Sequence, residues 1–172
     1  MITSLCPTPL PGASSNKCPP VTPQHLTLEH WAHQVESGPF LGLDWGKTRC
    51  GIALSDPDNC VAMPMTVCSP GGALRHTLVD LWNTYHCRGI ILGWPLHSSG
   101  QVGGLCASIL RLAQRLHDDH QWPIALWDER FTTQGARALM CDSKTVMDDH
   151  AAAFILQGGL QRWQSLRQLT QQ

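Results

Sequence analysis

The sequence predicts an α/β fold, a mixed five-stranded sheet with helices on its faces, and three observations carry that reading. Two short apolar runs, Phe40-Leu41-Gly42-Leu43 and Cys50-Gly51-Ile52-Ala53-Leu54, flank a Gly-containing connection short enough for a hairpin. Two later runs, GIILGW from Gly89 to Trp94 and PIALW from Pro123 to Trp127, are continuously apolar, as strands buried on both faces are. Helical periodicity separates these runs, and strands alternating with helices imply parallel pairing.

In order, residues 1 to about 22 are rich in Pro, Ser, Thr and Gly and read as a disordered tail. Leu28, Trp31, Ala32 and Val35 recur at helical spacing between Pro23 and Glu36, which predicts a short appended helix with no chemistry of its own. The hairpin strands follow, then a third strand over Cys60 to Val67, where Pro64 implies an edge or a bulge. Leu74, Leu78, Leu81, Trp82 and Tyr85 mark a helix over 72–86, and Leu105, Ile109, Leu112, Ala113 and Leu116 mark a second. A short helix is expected over Thr133 to Met140 and a long final one over Met147 to Leu166. The order β-β-β-α-β-α-β-α-α divides the chain into an extension, 1–38, and one domain, 39–172.

Composition narrows the class. With 172 residues, 42% hydrophobic and 15% charged, the chain suits one soluble globular domain plus a tail. A net charge of -1 gives no global field toward nucleic acid or membrane. No apolar stretch approaches the ~18 residues of a membrane span. The eight cysteines form no C-x-x-C pair and read as reduced thiols in a cytosolic protein without a visible signal peptide. The pairs His30/His33 and His117/His120 lie at i,i+3 spacing, but no third metal ligand is near either in sequence.

The chemistry points to one sheet edge. Asp44 stands where the first strand meets its turn, and a buried carboxylate there calls for a cation or strong donors. Glu129 leaves the fifth strand in the same way, and the two carboxylates are expected to face each other across neighbouring strand ends. Asp148 and Asp149 open the last helix, where acids also suit the helix dipole. Hard oxygen ligands of this kind suit Mg²⁺ or Mn²⁺, which support phosphodiester cleavage. Gly46 would let a phosphate backbone approach, while Lys47, Arg49 and Arg130 could meet phosphates. The polar loop from His97 to Gln101 is a further candidate substrate contact, and Thr132 and Thr133 read as helix caps.

Four stretches, LGLDWGKTRCGIALSD, ILGWPLHSSGQ, WDERFTT and KTVMDDHAAAFILQ, resemble the YqgF/RuvX family in order and register over residues 40 to about 164. The resemblance implies an RNase H-like fold, the antiparallel meander plus two parallel strands. It also implies a pre-16S rRNA nuclease, with a Holliday-junction resolvase as the older reading. It assigns Asp44, Glu129 and Asp148 as catalytic metal ligands, and Lys144 as the family's Lys upstream of the helix Asp. Substrate contacts would come from Gly46, Lys47, Arg49, His97, Arg130 and Lys144. The partner would be precursor rRNA or a ribosomal particle, or branched DNA, met by a cytoplasmic monomer or homodimer.

Three features depart from the family pattern. Trp45 follows the first Asp and is expected to narrow the site mouth. His97 stands where Asn is common. Of 12 Lys+Arg and 13 Asp+Glu, only Lys17, Glu29 and Glu36 precede residue 39, which leaves 11 of each and a weak intrinsic grip on RNA. Two other readings follow from the same residues: a strand-Asp-x-Gly hairpin also opens actin-like ATPases, and modest charge suits a non-catalytic rRNA-binding module.

Overall fold

The computed structural model describes residues 26–95, 104–128 and 144–170, with side chains at 144–149 and 170 excepted. Five strands form one sheet: β1 (Phe40–Trp45), β2 (Cys50–Ser55), β3 (Ala62–Cys68), β4 (Gly89–Trp94) and β5 (Ile124–Asp128). Their order is β3-β2-β1-β4-β5. The meander β1-β2-β3 is antiparallel, whereas β1, β4 and β5 are mutually parallel. This is the RNase H-like arrangement expected. Pro64 lies on the edge strand, and pairing shifts register between Ile52 and Ala53, so the expected edge and irregularity are both present.

Four helices are described: α1 (Leu28–Ala32), α2 (Gly72–Tyr85), α3 (Gly104–His120) and α4 (Lys144–Thr170). The last is longer than apolar spacing suggested, and the helix expected over 133–140 lies outside the described residues. Strand alternation sorts the core into two layers. Leu41, Leu43, Ile52, Ile90 and Leu92 pack with Leu74 and Leu78 of α2 and Ile109 and Ala113 of α3. Phe40, Ala53, Ile91 and Ala125 face the other way, against Ala152, Ile155, Leu156, Leu160 and Trp163 of α4.

The segment before β1 is part of that second layer. Leu28, Trp31, Ala32 and Val35 are buried, the same four residues whose spacing predicts a helix. Leu126 N–H donates to the Leu26 carbonyl at 2.7 Å, so residues 26–27 cap the outer edge of β5. Trp31 and Trp163 meet Phe40 edge-on, with centroids 4.8 and 5.2 Å away. Arg167 donates to the Val35 carbonyl, and Arg162 pairs with Glu29 at 3.0 Å. Partial burial opposes ionisation of Glu29, but a backbone hydrogen bond and Arg162 outweigh it and hold the carboxyl below its ordinary value. Residues 1–25, read as a disordered tail, lie outside the described residues. Among the described residues, no helix is long and apolar enough to cross a membrane.

The five described cysteines are free thiols. Burial pushes Cys50 and Cys87 from 9.0 up to about 12, and the Asp44 charge adds to the effect at Cys50. In the unfolded chain these thiols ionise near their ordinary value, before the folded ones do. Stability should therefore hold below about pH 9 and fall as pH rises toward 12. Urea midpoints at pH 7 and pH 10 test this, and Cys50→Ala should flatten the decline.

Candidate active site

Asp44 is the penultimate residue of β1 and half-buried. Its neighbours Leu43 and Trp45 face α2 and α3, so alternation turns Asp44 to the α4 side. Its cross-strand partner is Gly51. A Cβ placed on Gly51 would lie 3.7 Å from Asp44 Cβ and 3.3 Å from Ala152 Cβ, so the missing side chain lets the helix settle beside the carboxylate. Gly42 does the same one turn deeper, where a Cβ would come within 2.5 Å of Leu156 Cβ and 2.8 Å of the Ala152 carbonyl.

These contacts fix the direction of α4. Ala152 and Leu156 cross Gly42, and Trp163 reaches Phe40, so the helix runs antiparallel to β1 with its start at the carboxyl end of the strand. Position 148 precedes Ala152 by one turn on the same stripe, a rise of about 6 Å. Going from Gly42 to Asp44 advances the strand by about 6.7 Å. Leu156 at Gly42 and Ala152 beside Asp44 match that advance, so position 148 lies one helical turn beyond Asp44, past the carboxyl end of β1. The Asp148 and Lys144 side chains lie outside the described residues.

The same edge collects the ends of β4 and β5. Gly93 pairs with Trp127 and Trp94 with Asp128. Glu129, Arg130 and His97 lie outside the described residues. Asp44 and the end of β5 are not on neighbouring strands, as the sequence implied, because β4 lies between them. Their separation is two strand spacings, about 9.6 Å. Gly93 occupies the intervening position, buried within the sheet.

Two turn residues behave differently from expectation. Trp45 does not narrow the mouth on the Asp44 side, because it points to the opposite face and its indole N–H donates to Ser108 Oγ at 3.0 Å. Trp45→Phe should therefore destabilise the fold by about 1 kcal/mol, the scale of one hydrogen bond, and leave cleavage unchanged. Denaturant melts and a cleavage assay read the two effects separately. Gly46 closes the hairpin, since its N–H donates to the Arg49 carbonyl at 2.9 Å and a Cβ would meet that oxygen at 2.8 Å. Lys47 and Arg49 are exposed on the turn. The histidine pairs serve packing and local bonding: His120 stacks on Trp122 at 4.3 Å, and His30 bonds Gln34.

Comparison with known proteins adds a second line. The family profile described as RuvX: Holliday junction resolvase matches residues 38–162. A Rhodopseudomonas palustris (strain TIE-1) protein named "Putative pre-16S rRNA nuclease" is 35% identical over 149 residues, covering 81% of this chain and 93% of that protein. A Bradyrhizobium sp. protein of the same name is 32% identical over 157 residues, with coverages of 86% and 96%. One from Phenylobacterium zucineum is 33% identical over 147 residues, with coverages of 74% and 89%. Among solved structures, T. thermophilus RuvC in complex with a Holliday junction substrate aligns with a TM-score of 0.47 at 12% identity, covering 74% of this chain and 96% of that one.

Proposed function

The chain belongs to the RuvX family, and from that premise we propose that it is a metal-dependent pre-16S rRNA nuclease. Its reaction is hydrolysis of a phosphodiester bond in 5′-end maturation of 16S rRNA, on precursor rRNA or a ribosomal particle in the cytoplasm. One observation carries the reading: Asp44 stands half-buried at the carboxyl edge of the parallel strands, beside Ala152 and one helical turn from the position that bears Asp148.

The donor set fits a hard divalent cation. Asp44 supplies carboxylate oxygens at the strand end, and Glu129 directly follows the last residue of β5 in sequence. Asp44, Glu129 and Asp148 would hold Mg²⁺ or Mn²⁺, which when bound supplies water activation and charge stabilisation at the scissile phosphate. Exposed Lys47 and Arg49 attract the backbone to that edge, and Arg130, His97 and Lys144 are assigned to the same substrate path.

The test is cleavage of precursor 16S rRNA with and without Mg²⁺, beside a four-way DNA junction. Metal-dependent cutting of the RNA in preference to the junction supports the reading. Preference for the junction makes the chain a resolvase, and tight RNA binding without cutting makes it a binding module.

A further inference from the structure

Beside the carboxyl edge lies a cavity of about 520 Å³ that the family-matched residues alone do not build. Its walls include Trp94 and Trp127 from the ends of β4 and β5, Leu28 from the extension, and Asp128 and Arg162. The extension is held against β5 by the Leu26–Leu126 hydrogen bond and the Glu29–Arg162 pair, so this wall is part of the packed domain.

We propose that this cavity receives a purine base of the bound RNA strand, at a nucleotide neighbouring the scissile phosphate. The occupant follows from the lining and its place. Indole walls favour a planar π-face, and unpaired RNA bases are commonly splayed out onto such surfaces. Asp128 and Arg162 line the same cavity, and Arg162, though paired with Glu29 at 3.0 Å, keeps 46% of its side chain exposed, so its guanidinium also reaches toward an adjoining phosphate. Trp94 and Asp128 end β4 and β5 at the same sheet edge as Asp44, which places the cavity along that edge from the carboxylate. The inference rests on the nuclease reading for its substrate, and it gives residues 26–29 a part in choosing that substrate.

Single 2-aminopurine substitutions walked along a precursor rRNA oligonucleotide test the proposal by fluorescence, without requiring cleavage. Quenching should concentrate at one nucleotide position, and Trp127→Leu should relieve it. Thr27 is exposed on the cavity wall, so Thr27→Trp fills the space from outside the core and should relieve the quenching if the Trp127 variant does not fold. In cleavage, an abasic nucleotide at that position should raise KM about tenfold with kcat little changed. Uniform quenching at all positions, or quenching indifferent to both variants, overturns the proposal. Equally strong binding of free 2-aminopurine riboside triphosphate overturns the assignment to RNA. A quenched position on an RNA that is never cut would keep the base pocket and remove the nuclease reading.

Discussion

Asp44→Asn is expected to reduce Mg²⁺-dependent cleavage of precursor 16S rRNA by at least about a hundredfold, the scale of losing one preorganised electrostatic partner of the reacting group. The amide keeps the volume of the carboxylate and its place beside Ala152, but it loses the charge that would hold the cation. The fold should survive, because the position is half-buried and the second core layer is built from Phe40, Ala53 and α4. A thermal melt no lower than wild type separates lost chemistry from lost structure. Cys50 gives an independent readout: the Asp44 charge helps hold its thiol at about 12, so the variant should bring that value down. Unchanged cleavage with a lowered Cys50 value would remove Asp44 from the mechanism while confirming its location.

The second large effect is on stability. Gly42→Ala should destabilise the domain by about 3 kcal/mol, near the upper end for overpacking a filled core. The midpoint should fall on the order of 10 °C. The added methyl would meet both Leu156 Cβ and the Ala152 carbonyl, so relief requires moving helix backbone. Gly51→Ala meets only Ala152 Cβ at a looser 3.3 Å and should be milder. Because α4 also carries position 148, Gly42→Ala should lose cleavage even at temperatures where it stays folded. Paired melts and rate measurements on the two variants check both the order and the coupling. Equal destabilisation by both would contradict the helix seating described here.

Much of this architecture was legible in the chain because local apolar patterns report burial directly. GIILGW became the interior strand β4, PIALW became β5 at the sheet edge, buried only at Ile124 and Ala125, and Pro64 marked the other edge strand and its irregularity. Strand order was not legible, since nothing local says that β4 comes between β1 and β5. That is why two carboxylate positions read as neighbours are a strand apart. Trp45 was misplaced for another reason: adjacency in sequence was taken for adjacency in space, whereas strand alternation sends successive side chains to opposite faces. Residues 23–36 carried their helical spacing openly, but their partners Arg162 and Arg167 are more than a hundred positions away. The acids beyond Asp44 were recognisable by motif, and their side chains lie outside the described residues.

Phe40 begins the strand that ends in Asp44, and the two indoles flanking it come from opposite ends of the chain. The family match stops at 38 and 162, so a fragment cut to those limits would discard both Trp31 and Trp163. It would keep every assigned metal ligand and lose the aromatic clasp at the far end of their strand. The packed unit is therefore wider than the residues of the family profile, running from about Leu26 to beyond Trp163.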